Sequence, residues 1–180
     1  MNRISIRKYP SECGVLVLGA FRGRLCLCDW KASERYRREA ERLARALDAE
    51  IVETEATEEG CAGAEAEILE QAAQELDRYF AGKCVRFETP LLLTGTDFQI
   101  QVREALREIG YGKTASYAEI AKRAGHPAAV RAVANAIAGN PISIFLPCHR
   151  VVGSDGSITG YRGGIEAKFF LLNLESQSTD

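Results

Sequence analysis

Apolar residues fall into two kinds of pattern along the chain. Cys13-Gly-Val-Leu-Val-Leu-Gly-Ala20 and Leu25-Cys-Leu-Cys-Asp-Trp30 are near-continuous apolar runs, which predict two strands joined at the hairpin turn Phe21-Arg-Gly-Arg24. A helical stripe follows. Tyr36, Ala40, Leu43 and Leu47 recur at helical spacing, predicting a charged helix from an N-cap at Ser33 to about Leu47, and Ile51-Val52 predicts a short strand. Glu55 to Gly63 is acidic and aperiodic, hence a loop. Ile68, Leu69, Ala72, Leu76, Tyr79 and Phe80 then mark one face of a helix from about Ala64 to Phe80. The stretch from Ala81 to Gly95 reads as a linker holding one more strand, with a domain boundary near residue 90.

The second half is mostly helical. Asp97 is a candidate cap for a helix carrying Phe98, Val102, Ala105, Leu106 and Ile109, ended by Gly110 and Gly112. Ser116-Tyr-Ala-Glu119 is a capping box opening a short helix to Ala124, which Gly125 breaks. Pro127 suits the first position of a further helix, running through Ala138 to the stop Gly139-Asn140-Pro141. Two short helices about a glycine turn predict a helix-turn-helix. The second contains six alanines between Ala128 and Ala138, with Arg131 as its only charge. Small side chains suit close approach to another surface, or else tight packing inside; both readings stand. The class is α+β: an N-terminal α/β domain over residues 1–89 and a helical domain over 90–180.

Composition narrows this further. The chain has 180 residues, 46% apolar and 27% charged, as expected of a packed, soluble protein. The longest apolar run, Gly14 to Phe21, is far short of the ~20 residues needed to span a bilayer, and the first residues lack a secretory signal's apolar core, so a cytoplasmic protein with no membrane partner is expected. Cys13, Cys26, Cys28, Cys61, Cys84 and Cys148 are accordingly read as thiols. Residues 111–164 hold six Lys/Arg against two Asp/Glu within an otherwise acidic chain. A polyanion could dock there.

The chemistry-bearing stretch is Pro147-Cys-His-Arg-Val151, between the apolar Ile142-Ser-Ile-Phe-Leu146 and the turn Gly153-Ser-Asp-Gly156. A thiol attacks only as thiolate, and a pKa of about 8.5 leaves little of it ionised at neutral pH. A base is needed. His149 is adjacent, but neighbours on an extended strand point apart, so coupling requires a turn, a helical backbone or a bridging water. On these residues alone, a buried apolar thiol is the plainer reading of Cys148.

The wider pattern changes that. Asn140-Pro141, Pro147-Cys-His-Arg-Val-Val152, Gly160-Tyr161-Arg-Gly-Gly164, Lys168 and Leu172, with Ser116-Tyr117 and the Arg131 helix in matching order, resemble the methylated-DNA-protein-cysteine methyltransferases, also called O6-alkylguanine-DNA alkyltransferases. The likeness covers roughly residues 80–175; the earlier part matches only in general α/β character. The resemblance implies a ribonuclease-H-like N-terminal domain and irreversible transfer of an alkyl group from O6 of guanine, with O4-methylthymine as a second candidate substrate, to Cys148. It implies no cofactor. His149 would act as base through a water, held by Glu175; Tyr117 would assist the departing base at N3. Asn140 would tie the turn to the active-site segment, the carbonyls of Cys148 and Val151 would accept from the guanine amino group, and Tyr161 would sit in a loop closing over the base. Arg131 would fill the space left by a flipped nucleotide in duplex DNA bound through its minor groove, with Ala129 and Ala132 permitting close approach. A monomer is expected.

Some relatives bind zinc in the N-terminal domain through cysteine and histidine, whereas both histidines here, His126 and His149, lie in the second half. Cys26 and Cys28, on one face of a strand pattern, could ligate with Cys13 and Cys61 or Cys84, but a core-facing pair is preferred and no metal is expected. Arg162 stands where relatives can carry a smaller residue, which leaves that loop's contact with substrate open. Three rivals are weaker: a non-catalytic lesion binder would carry tryptophan where Cys148 stands, a helix-turn-helix regulator would need more than an alanine-rich second helix to read major-groove bases, and a cysteine hydrolase would need a distant histidine, for which His126 is the one spare.

Overall fold

The computed structural model describes residues 2–53, 63–83 and 86–177. The chain begins with a strand that the turn signals miss: β1 (Asn2–Ser11) pairs antiparallel with β2 (Gly14–Phe21), which pairs with β3 (Arg24–Trp30). β4 (Ala49–Glu53) adds parallel to β1 on the other side, giving the order β3-β2-β1-β4. Helix α1 (Tyr36–Ala46) covers one face through Leu43, and α2 (Ala64–Phe80) covers the other through Ile68, Leu69, Ala72, Leu76 and Tyr79. Ser33 is not the N-cap of α1. Its hydroxyl accepts from Arg35 N in a turn before the helix, which leaves Arg35 at the cap.

Cys26 and Cys28 do not share a face. The β2–β3 register slips between Gly19 and Ala20, pairing Gly19 with Leu27 but Ala20 with Leu25. Cys26 is the extra residue of a bulge, which resets the alternation. It turns to the α1 side and donates to Gly19 O at 3.4 Å, whereas Cys28 enters the opposite core with Leu16, Leu18 and α2. Cys61 and Cys84, like most of the loop over 55–63, lie outside the described residues.

The second half holds α3 (Asp97–Arg107), α4 (Tyr117–Arg123), α5 (Val130–Ala138) and α6 (Ile165–Gln177), with β5 (Ala115–Ser116) parallel to β6 (Val151–Val152). Thr96, not Asp97, caps α3: its hydroxyl accepts from Gln99 N, and Gln99 Oε1 accepts from Thr96 N. The box at Ser116 and Glu119 forms as predicted. α5 starts at Val130 rather than Pro127, because Ala129 N donates to His126 O in a separate turn.

These halves share one core. Ile142, Ile144, Phe145, Leu146, Ala167 and Leu171 pack with Leu16, Leu18, Trp30 and Leu76. Pro90 O and Leu92 N bond to Leu25 on the edge of β3, so the linker is itself docked.

Candidate active site

The chain's turn after α5 builds the site's floor. Asn140 is fully buried; its Oδ1 accepts from Ile142 N at 3.1 Å, while Nδ2 donates to Leu146 O at 3.1 Å and reaches Cys148 Sγ at 3.2 Å. One side chain thus closes the loop and touches the sulfur. Inside that loop Ile144 holds φ at +71°, a region β-branched residues rarely occupy and that surrounding bonds must enforce.

Cys148–Arg150 forms a single 3-10 turn, not an extended strand. The two side chains therefore diverge without opposing one another. His149 runs inward, where its Nε2 donates to Glu175 Oε1 at 2.7 Å. Glu175 also accepts from Tyr79 Oη (2.7 Å), from Arg150 Nε (2.8 Å) and Nη2 (3.0 Å), and from Gly112 N (3.0 Å). Burial alone would raise this carboxyl, but the hydrogen bonds and charges of His149 and Arg150 outweigh it and hold the pKa down to about 2. Arg150 supplies the permanent countercharge; His149 adds its own only when protonated. Burial pushes the His149 pKa down despite Glu175, so the resting imidazole is neutral. With Nε2–H given to Glu175, Nδ1 keeps the lone pair. That nitrogen is buried and makes no hydrogen bond among the described residues.

Burial also pushes the Cys148 thiol up, while the Asn140 hydrogen bond and the charges of Arg162 and Lys168 pull toward thiolate and Asp29 opposes them. Although only 5% exposed, Cys148 lines a cleft of about 690 Å³. Tyr117, Tyr161, Arg162 and Thr159 line it too, as do Trp30 and Arg35 from the first half. Tyr117 Oη lies 2.9 Å from Thr159 Oγ1, and the Tyr161 ring meets Trp30 edge-on at 6.0 Å. Val151 is buried beneath, its carbonyl accepting from Lys168 Nζ at 2.5 Å.

α5 sits at the cleft's rim. Its inward face is Val133, Ala136 and Ile137, so of the six alanines only Ala136 is buried. Arg131 and Ala132 are exposed and Ala129 is half-buried at the helix start. The tight-packing reading fails. The basic segment is also redistributed: Arg150 and Arg162 are spent on Glu175 and Asp29, leaving Lys113, Lys122, Arg123 and Arg131 at the surface. His126 bonds Gln101 at 2.8 Å and meets the Phe98 ring at a 59° tilt, outside the lining of the thiol's cleft.

Four contributors carried no assigned role in the sequence reading. Arg150 and Lys168 stand inside the recognised motif. Asp29 had a weak signal, an acid within an apolar strand. Tyr79 had none, being a plain member of an apolar helix face.

Two family models match: "6-O-methylguanine DNA methyltransferase, ribonuclease-like domain" over residues 6–93, and "6-O-methylguanine DNA methyltransferase, DNA binding domain" over 97–177. An inducible methylated-DNA–protein-cysteine methyltransferase of Bacillus subtilis is 51% identical over 111 residues, a stretch covering 62% of this chain and 62% of that protein. One from Methanosarcina acetivorans is 50% identical over 109 residues, 61% of this chain and 70% of the relative. Among solved structures, Mycobacterium tuberculosis OGT in complex with DNA superposes with a TM-score of 0.77 at 35% identity, covering 97% of this chain and 94% of that one. Both halves of the fold and the motif around the thiol thus agree, and the chain belongs to the methylated-DNA–protein-cysteine methyltransferase family.

Proposed function

We propose that the chain repairs DNA by moving the alkyl group from O6 of guanine to Cys148 Sγ, once per molecule. The observation that carries this reading is the thiol on the floor of an open cleft, hydrogen-bonded by Asn140, beside an imidazole whose proton is committed to Glu175. The thiol proton passes through a water to His149 Nδ1, and Glu175 stabilises the imidazolium that results. The S–C bond forms as the O6–C bond breaks, and the electron pair leaves with guanine. Tyr117 supplies a hydrogen bond or proton at N3 to that departing base. Nothing is oxidised or reduced, so the exchange needs no cofactor. The product thioether has no thiolate to regenerate, which consumes the protein.

The lesion reaches the sulfur only after its nucleotide rotates out of the duplex. Arg131, exposed on a helix of small residues, is suited to enter the minor groove and fill the gap, with Ala129 and Ala132 allowing the backbone close. The carbonyls of Cys148 and Val151 accept from the base amino group; Val151 O, already bonded by Lys168, has a second lone pair for this. Tyr161 shapes the cleft wall. O4-methylthymine fits the same chemistry as a second substrate. The protein acts as a monomer in the cytoplasm, with residues 1–89 and 90–180 as its domains; no described helix is long and apolar enough to cross a membrane.

Intact-mass measurement after incubation with an O6-methylguanine duplex tests this. One methyl per chain, located on Cys148 and absent in Cys148→Ala, is expected; repeated turnover or an unmodified thiol refutes it. Arg131→Ala should slow repair of duplex far more than reaction with free O6-benzylguanine, and equal losses would refute its role in base flipping.

A further inference from the structure

We propose that Asp29 and Trp30, at the end of β3, clamp Arg162 and Gly163 and so position the loop over Cys148, which makes Arg162 a positioning residue and the N-terminal domain half of the transfer site. The inference rests on the transfer reading above and deepens it. Asp29 Oδ1 accepts from Arg162 Nε at 3.0 Å, Oδ2 accepts from the terminal guanidinium nitrogen, and another Arg162 nitrogen donates to Ala138 O, the last residue of α5. One guanidinium therefore joins the sheet, the end of α5 and the loop. Both side chains are withdrawn from water, at 0% and 3% exposure. Removing such charges from water costs about as much as their attraction returns, so the pair is better suited to fixing geometry than to adding stability.

Shape makes the same contact independently. The Gly163 backbone lies flat against the Trp30 indole, where an added Cβ would stand 2.5 Å from Cε2, while the Tyr161 ring meets that indole edge-on. Two adjacent residues of β3 thus grip three adjacent residues of the loop, and Trp30, Tyr161, Arg162 and Gly163 all line the cleft with Cys148. The loop's other anchor is Thr159, whose carbonyl accepts from Lys168 Nζ and whose hydroxyl contacts Tyr117. The Tyr161 ring also meets His149 edge-on at 6.4 Å, so the clamp fixes the loop on the sheet side of a ring already packed on the active-site side.

Arg162 favours the Cys148 thiolate and Asp29 disfavours it. The two halves of the clamp therefore carry opposite electrical signatures at the sulfur. The other groups facing it, Lys168 on α6, Cys28 on β3, Tyr161 on the loop and Asn140, are common to all variants.

The test uses the full chain with free O6-benzylguanine for transfer and iodoacetamide for thiol ionisation. Arg162→Gln should lower the saturating transfer constant by about tenfold or more and move the Cys148 alkylation midpoint to higher pH; Asp29→Asn should also slow transfer but move the midpoint to lower pH. Arg162→Lys, which keeps the charge without the fork, should leave the midpoint in place with an intermediate transfer constant. Transfer within about twofold of wild type in both neutral variants, or midpoints moving in the same direction, overturns the clamp. Should both fail to fold, wild-type transfer by Arg162→Lys overturns it. A wild-type protein that takes neither benzyl from O6-benzylguanine nor methyl from an O6-methylguanine duplex instead sinks the transfer reading, and the iodoacetamide midpoints still report on the clamp.

Discussion

Glu175 and Asp29 are both carboxylates taken out of water beside an arginine, one from each half of the chain, yet their proton affinities move in opposite directions. Glu175 gathers Arg150, His149, Tyr79 and a backbone amide, and its carboxyl is held at about 2. Asp29 has the Arg162 fork and the Trp30 amide, too little to offset burial, and its carboxyl is raised above the usual 3.8. Donor supply decides the difference. The Glu175 hub keeps a full negative charge where the proposed transfer would form an imidazolium, whereas the proposed Asp29 clamp would hold a loop in place at close to electrostatic break-even.

Breaking the hub has the largest expected effect. Glu175→Gln leaves Arg150 buried without its counterion, a loss of about 3–5 kcal/mol in urea unfolding. A glutamine amide can also donate to His149 Nε2, which moves the ring proton to Nδ1 and removes the base. Transfer of benzyl from O6-benzylguanine should then fall by about 100-fold or more. A folded variant reacting at the wild-type rate would show that Glu175 does not set the tautomer.

The hub also predicts an acid limit. The folded pKa of Glu175 lies below its ordinary 4.5, so its contribution is complete above that value and is lost as pH falls toward about 2. A shift of this size corresponds to about 3 kcal/mol. Urea midpoints measured down that range should fall in the wild type and fall less in Glu175→Gln; parallel curves for the two proteins would remove Glu175 as the cause.

What the sequence made legible follows the range of the interactions. The Ser116–Glu119 box spans three residues, the α2 face follows one helix's periodicity, and the thiol motif is contiguous, so each could be read locally. Asn140 was visible as a stop and, through the resemblance, as a tie to the active-site segment, but its direct bond to Cys148 depends on a loop in which Ile144 is held at a positive φ that no local rule foresees. β1 hid because its alternating half-polar residues resemble an exposed tail until β2 and β4 pair with it. The shared face assigned to Cys26 and Cys28 failed on one bulged residue, and Pro127 as helix start failed on a turn that ends after it. Tyr79 to Glu175 and Asp29 to Arg162 join residues 96 and 133 positions apart, a separation at which periodicity carries no signal.

Tyr79→Phe probes the hub more gently. It removes one donor to Glu175 and leaves Arg150, His149 and Gly112 N in place, for a loss of about 1.5–3 kcal/mol, the range for a hydrogen bond to a charged group. Transfer should slow by less than in Glu175→Gln, because the imidazole keeps its partner. A loss as large as that of Glu175→Gln would instead make Tyr79 a principal determinant of the tautomer.

The smallest effect is one of sign, and it separates the two carboxylates most directly. Asp29 binds its proton more tightly folded than unfolded, so its contribution is fully present below 3.8 and is lost as pH rises through the folded pKa. On acidification Asp29 therefore gains stability while Glu175 loses it, and the wild-type curve is their difference. Asp29→Asn deletes the opposing member. Whatever its absolute stability, this variant should lose more between about pH 7 and about pH 3 than the wild type does, just as Glu175→Gln should lose less. An acid curve flattened by Asp29→Asn would mean that Arg162 holds the folded pKa below 3.8, and the clamp would then be a second hub built on the same plan.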